Sequence, residues 1–197
     1  METTPHENLA LRFLTADNLR ERPREHRMIV KLPLDNLFWR FSLRVYADAD
    51  VRKECLLLQD SLGINVNLLL FVAWLSAKRR IRMSNDDVAA MEALAGPWQS
   101  AVVLPLRSVR RTIKEMDLIG HDDVAALRSK IAAVEIESEQ IEQALLFEWA
   151  ARKWPADGPA TQAPVRENIT AYLGRFPHSG ATTHSHAASA LERRAMD

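Results

Sequence analysis

Along most of this chain the apolar positions recur at spacings of three and four residues, and no segment alternates strictly enough to suggest a strand. In LDNLFWRFSLRVY (34–46), Leu34, Leu37, Phe38, Phe41 and Val45 fall on one helical face, while Trp39, Leu43 and Tyr46 form a second apolar strip. A helix with two apolar faces either sits deep in the fold or lends one face to a ligand or partner. Residues 47–63 predict a second helix, with Asp48 or Asp50 as cap, Val51, Cys55, Leu58 and Leu62 facing in, and Gly63 just past the last turn. Asn65 then caps a third helix within GINVNLLLFVAWLSAKRR (63–80), the most apolar stretch of the chain. Its uninterrupted apolar run from Leu68 covers roughly 15 Å of helix, about half of a hydrocarbon core of about 30 Å. This predicts a buried central helix and no membrane span.

Ser84-Asn85-Asp86-Asp87 resembles a capping box and opens a fourth, short helix, expected to end at Gly96-Pro97. Pro97 then suits the first position of a fifth helix, and Pro105 inside it predicts a kink. In that helix Gln99, Val102, Leu106, Val109, Ile113 and Met116 share one face. A long sixth helix, expected from Asp123 to Trp154, places Val124, Leu127, Ile131, Val134, Ser138, Ile141 and Leu145 in the same way. With the short connection DLIGHDD, the two should pair antiparallel. After the linker PADGPATQAP (155–164), a seventh helix is expected over 164–176, with Ile169, Tyr172, Leu173 and Phe176 facing in. The fold class is therefore all-α: a single compact bundle of about six to seven helices containing an antiparallel helical hairpin. The helical domain covers 34–176, flanked by a poorly ordered N-terminal arm (1–33) and a polar, disordered tail (177–197). Met28, just before the strong patterning begins, offers an alternative start.

Composition adds little. The 47% hydrophobic and 26% charged residues suit an ordinary core, and the net charge of +0 means that any electrostatic preference must come from local patches. One cysteine, Cys55, rules out a disulfide within the chain, and the acidic, polar N-terminus does not read as a secretory signal; a cytoplasmic location is expected.

Candidate chemistry is sparse. His178, His184 and His186 lie in the polar tail, where nothing fixes a metal's ligand geometry. Cys55 sits on an apolar face, and His121 is the histidine within the folded region, so a cysteine–histidine pair is not expected. Glycine-rich phosphate loops, nucleophile elbows and zinc-binding helix motifs are absent. No catalytic residue, cofactor site or metal site is assigned. Glu135, Glu137, Glu139 and Glu142 read as a solvated acidic face, and Asn67 as a buried polar residue that needs hydrogen-bond partners.

Two surfaces remain. Arg107, Arg110, Arg111 and Lys114 share one face of the fifth helix. If the hairpin turns near residue 119, they lie opposite 124–131, which holds Arg128 and Lys130, with Asp123 as the adjoining acid. The stripe is then not neutralised within the hairpin. This makes the leading expectation a non-enzymatic interaction or accessory protein that offers the stripe, with Lys78–Arg82 beside it, to a protein or other anionic partner. The neutral net charge and the lack of interleaved aromatics argue against nucleic acid, and nothing sets an oligomeric state. The alternative is a helical small-molecule-binding protein or enzyme. Its pocket would lie between the first and central helices and use Trp39, Leu43, Tyr46, Asn67 and Trp74, with Arg40 or Arg44 as anion anchor. A filled core with an unpaired stripe favours the first reading, and a pocket enclosed by these aromatics favours the second.

The blocks FWRFSLRVY, NVNLLLFVAWLSA and W-x-x-x-VVLPLRSVRRTIK, in that order, resemble a proteobacterial family of conserved hypothetical proteins with an all-helical domain of unknown function. The resemblance runs from Leu34 to Leu173. It implies a small, cytoplasmic, all-helical protein and brings with it no reaction, cofactor or catalytic residue.

Overall fold

The computed structural model describes residues 31–116, 120–155, 165–176 and 181–196. The elements are α1 (Leu37–Tyr46), α2 (Ala49–Leu62), α3 (Val66–Arg79), α4 (Asn85–Trp98), α5 (Leu104–Glu115), α6 (Asp122–Lys153), α7 (Val165–Leu173) and α8 (Ala181–Met196). Among the described residues the regular structure is all helical. Met28 and most of the N-terminal arm lie outside them, as do His178 and Pro164.

Local chemistry sets the boundaries. Asn36 opens α1 by accepting from the Trp39 amide at 2.9 Å, and Asp48 accepts from the Asp50 and Val51 amides at 2.9 and 3.2 Å. Gly63 closes α2 at φ 68°, a left-handed position that costs a glycine little. Asn65 caps α3 through the Asn67 amide, and Ser84 and Asp87 form a reciprocal capping box at α4.

The central helix is buried on all sides. Residues Asn67 to Ser76 of α3 are all buried, with Leu69, Phe71, Val72, Ala73 and Leu75 at 0% exposure. Helices α1, α6, α7 and α8 pack around it. Phe38, Phe71, Trp74 and Phe147 form a chain of ring contacts with centroids 5.2–5.8 Å apart. Asn168 of α7 clamps the turn after α3: its Nδ2 donates to the Ile81 carbonyl at 2.8 Å, and its Oδ1 accepts from the Met83 amide at 3.0 Å. Among the described residues no helix is long and apolar enough to cross a membrane.

Three expectations are corrected. First, α4 does not stop at Gly96-Pro97. It runs through Pro97 to Trp98, and a five-residue π segment, Gln99–Val103, carries the chain without a break into α5. The Leu104 amide donates to the Gln99 carbonyl, five residues back. The widened turn lies just before Pro105, whose ring would crowd an ordinary α-turn.

Second, the tail folds. Residues 181–196 form α8, and Ala187, Ala188, Ala190, Leu191 and Ala195 are buried against α2, α3 and α7. Alanines approach closely and favour helix, so a segment of low hydropathy still docks.

Third, the hairpin helices are rotated from the expected faces. Val109, Met116, Leu127 and Val134, expected inside, are 46–53% exposed. Arg107, Glu135 and Glu142 point inward instead, while Ser138 is buried as expected.

Candidate functional site

The inward stripe of α6 is polar. Glu135 (5% exposed) takes both basic residues facing it: Arg107 Nε donates at 2.9 Å, and Arg110 donates through Nε and, at 3.1 Å, through Nη2. Arg107 Nη2 also donates to Glu139 at 2.5 Å. Arg111 reaches across to Asp60 of α2, also at 2.5 Å. The basic stripe is therefore neutralised through Arg111, and Lys114 is its exposed end. Helical side chains lean toward their own N-terminus, so in an antiparallel pair the long arginines of α5 reach one to two turns further along α6 than Cα register suggests.

One turn further along, Glu142 is at 0% exposure. It accepts from Asn65 Nδ2 at 2.9 Å and from Asn67 Nδ2 at 2.5 Å. Gln143 Nε2 donates to Asn67 Oδ1 at 2.7 Å, which leaves Gln143 Oε1 buried without a hydrogen-bond partner. Burial, outweighing the two amide hydrogen bonds, pushes the Glu142 carboxyl up to about 7 from the usual 4.5.

Beside this network lies a cleft of about 480 Å³. Trp39, Leu43 and Tyr46 of α1 form one wall, Arg52 and Leu56 of α2 a second, and Val66, Asn67 and Leu70 of α3 the floor. Helices α5 and α6 close it with Arg107, Arg110, Arg128, Glu135, Ile136, Glu139 and Gln143. Ser42, 3% exposed, also lines it, and its Oγ has no hydrogen-bond partner. Burial pushes the Tyr46 hydroxyl up to about 12, so it serves as a neutral donor. The cleft thus joins an apolar wall to a charged one.

The profile of the family described as "Protein of unknown function (DUF2390)" matches residues 37–146. The chain belongs to this family. No curated protein and no solved structure matches it. The matched segment of this DUF2390 chain runs from α1 through most of α6 and so contains every residue that lines the cleft.

Of the expected pocket residues, Trp39, Leu43, Tyr46 and Asn67 line the cleft together. Trp74 does not: it is 1% exposed in the aromatic core. Neither expected anion anchor faces the cleft. Arg40 pairs with Asp35 at 2.6 Å in solvent, and the Arg44 guanidinium lies 5.6 Å from the Phe41 ring centre. The acidic face is corrected too, since Glu135 and Glu142 are buried and Glu139 is ion-paired, leaving Glu137 in solvent. Ser42, Arg52, Arg128, Glu135, Glu139 and Gln143 went unrecognised as site residues. The available signal was the spacing Arg128, Ala132, Glu135, Glu139 and Glu142, a helical face as regular as the apolar one beside it. Cys55 is buried as expected, and burial pushes its thiol up to about 12, leaving it unreactive.

Glu142 makes stability depend on pH. Its folded value lies above its unfolded one, so the folded state holds the extra proton. Its contribution is complete below the unfolded value and is lost as pH rises through about 7. The loss is about 3 kcal/mol in all. Glu142→Gln carries no charge at any pH. Its stability should equal wild type near pH 4.5 and exceed it by up to about 3 kcal/mol at pH 8. Urea unfolding at both pH values checks this, and parallel stability profiles would refute the assignment.

Proposed function

We propose that this chain is a helical small-molecule-binding protein and that its ligand occupies the cleft between α1, α2, α3 and the α5–α6 hairpin. The carrying observation is the cleft itself: an apolar wall of Trp39, Leu43, Leu56 and Leu70 faces polar groups, two of which, Ser42 Oγ and Gln143 Oε1, are buried without partners. Binding sites typically combine an apolar lining with a few fixed polar groups, at volumes of about 300–1,000 Å³. The interaction-surface reading loses its main support because Arg107, Arg110 and Arg111 are held by acids of the same chain. A cytoplasmic setting is consistent with a single, buried cysteine.

The test is binding of the neutral, apolar fluorophore N-phenyl-1-naphthylamine. Wild type should bind it with a blue-shifted emission. Leu43→Glu, at a position 53% exposed, should keep the helical circular dichroism. A charge placed on the apolar wall should weaken binding by roughly tenfold or more. Equal binding by the variant and by wild type would sink the proposal.

A further inference from the structure

We infer that the ligand is an organic anion, with an apolar body against α1 and its anionic group held by Arg52 of α2 and Arg128 of α6. The inference rests on the cleft reading above and specifies its ligand class. Four guanidinium groups line the cleft, Arg52, Arg107, Arg110 and Arg128, against the carboxylates Glu135 and Glu139. Those two carboxylates are taken by Arg107 and Arg110. Arg52 and Arg128 have no carboxylate within ion-pair distance among the described residues, so the lining carries an excess of positive charge.

Arg128 is the more telling of the two. It is half-buried, and its Nε–H is fully inaccessible with no hydrogen-bond partner. A buried donor of a charged group left unmet is costly, and a neutral apolar ligand would leave it so. A carboxylate, sulfonate or phosphate offers several acceptor oxygens in the geometry that a guanidinium fork matches. A cationic ligand would meet the positive excess unfavourably. The apolar body has its own place, since Trp39, Leu43 and Leu56 lie on the same cleft walls. Its volume, about 480 Å³, suits a short acyl chain or a small ring system carrying one anionic group.

The experiment compares two probes with nearly the same body: 8-anilinonaphthalene-1-sulfonate, which carries a sulfonate, and N-phenyl-1-naphthylamine, which does not. Wild type should bind the sulfonate about tenfold more tightly at low salt, and the preference should shrink as salt rises. Arg52→Gln and Arg128→Gln should each reduce the ratio of sulfonate to neutral-probe affinity, with both variants folded by circular dichroism. Equal affinity for the two probes in wild type, or a preference that survives both substitutions, would overturn the anion assignment and leave the cleft reading standing. Failure of both probes to bind would overturn both.

Discussion

Glu135→Ala should destabilise the protein by about 3–5 kcal/mol, the range expected when one member of a buried ion network is removed. Glu135 is the shared counter-charge of two arginines, and Arg107 is itself only 9% exposed. Without it, Arg107 keeps Glu139, but Arg110 keeps no acid partner. Glu139→Ala should cost much less, about 1–2 kcal/mol, because Arg107 then still has Glu135. Burial acts to raise the Glu135 carboxyl, but hydrogen bonds from Arg110 and Arg107 outweigh it and hold the group below the usual carboxylate range. Its contribution is therefore present above the unfolded value and is lost as pH falls through the lowered one. This is opposite in sign to Glu142, although both carboxylates sit on the same helix. Urea midpoints of the two alanine variants at neutral pH check the ordering. A cost for Glu135→Ala below about 1 kcal/mol would mean that the network behaves as an exposed one.

Leu191→Ala should cost about 2–5 kcal/mol, as large-to-small changes in packed cores do. The side chain is 1% exposed on α8, among Ala187, Ala188 and Ala195. In a disordered tail the same change would cost nothing, so one unfolding curve separates the two descriptions. The substitution removes no hydrogen bond or charge, so the whole effect reports the docking of α8.

The helix caps were legible in the sequence because they are local. Asp48, Asn65 and the Ser84–Asp87 pair are satisfied within three residues along the chain, and a short-range pattern reveals them. The central helix was legible because nearly every position along its middle is apolar. The orientation of α5 and α6 was not. Each helix carries two regular stripes, one apolar and one charged, and the rule that apolar faces inward chose the wrong one. What reverses the choice is non-local: Arg107 meets Glu135 and Glu139 only once the hairpin closes, and Arg111 meets Asp60 on α2. The candidate pocket was half legible for the same reason. The aromatic strip of α1 was found from its own periodicity, while Arg52, Arg128 and Gln143 enter the cleft from helices whose facing was not known. In α8 the signal was present at Ala188, Leu191 and Ala195, spaced by three and four, but alanine contributes too little hydropathy to stand out from a polar tail.

The placement of α3 also shapes how the chain can reach this structure. Its buried face is completed by partners from the far end of the sequence: Asn168 holds the Ile81 carbonyl 87 residues away, and Tyr172 donates to the Asn65 carbonyl across 107 residues. A chain emerging from the ribosome only through α6 has made the cleft walls but still exposes the side of α3 that α7 and α8 cover. Contacts of such long separation close late and slowly, and until they do the most apolar helix in the molecule is the one least protected from aggregation.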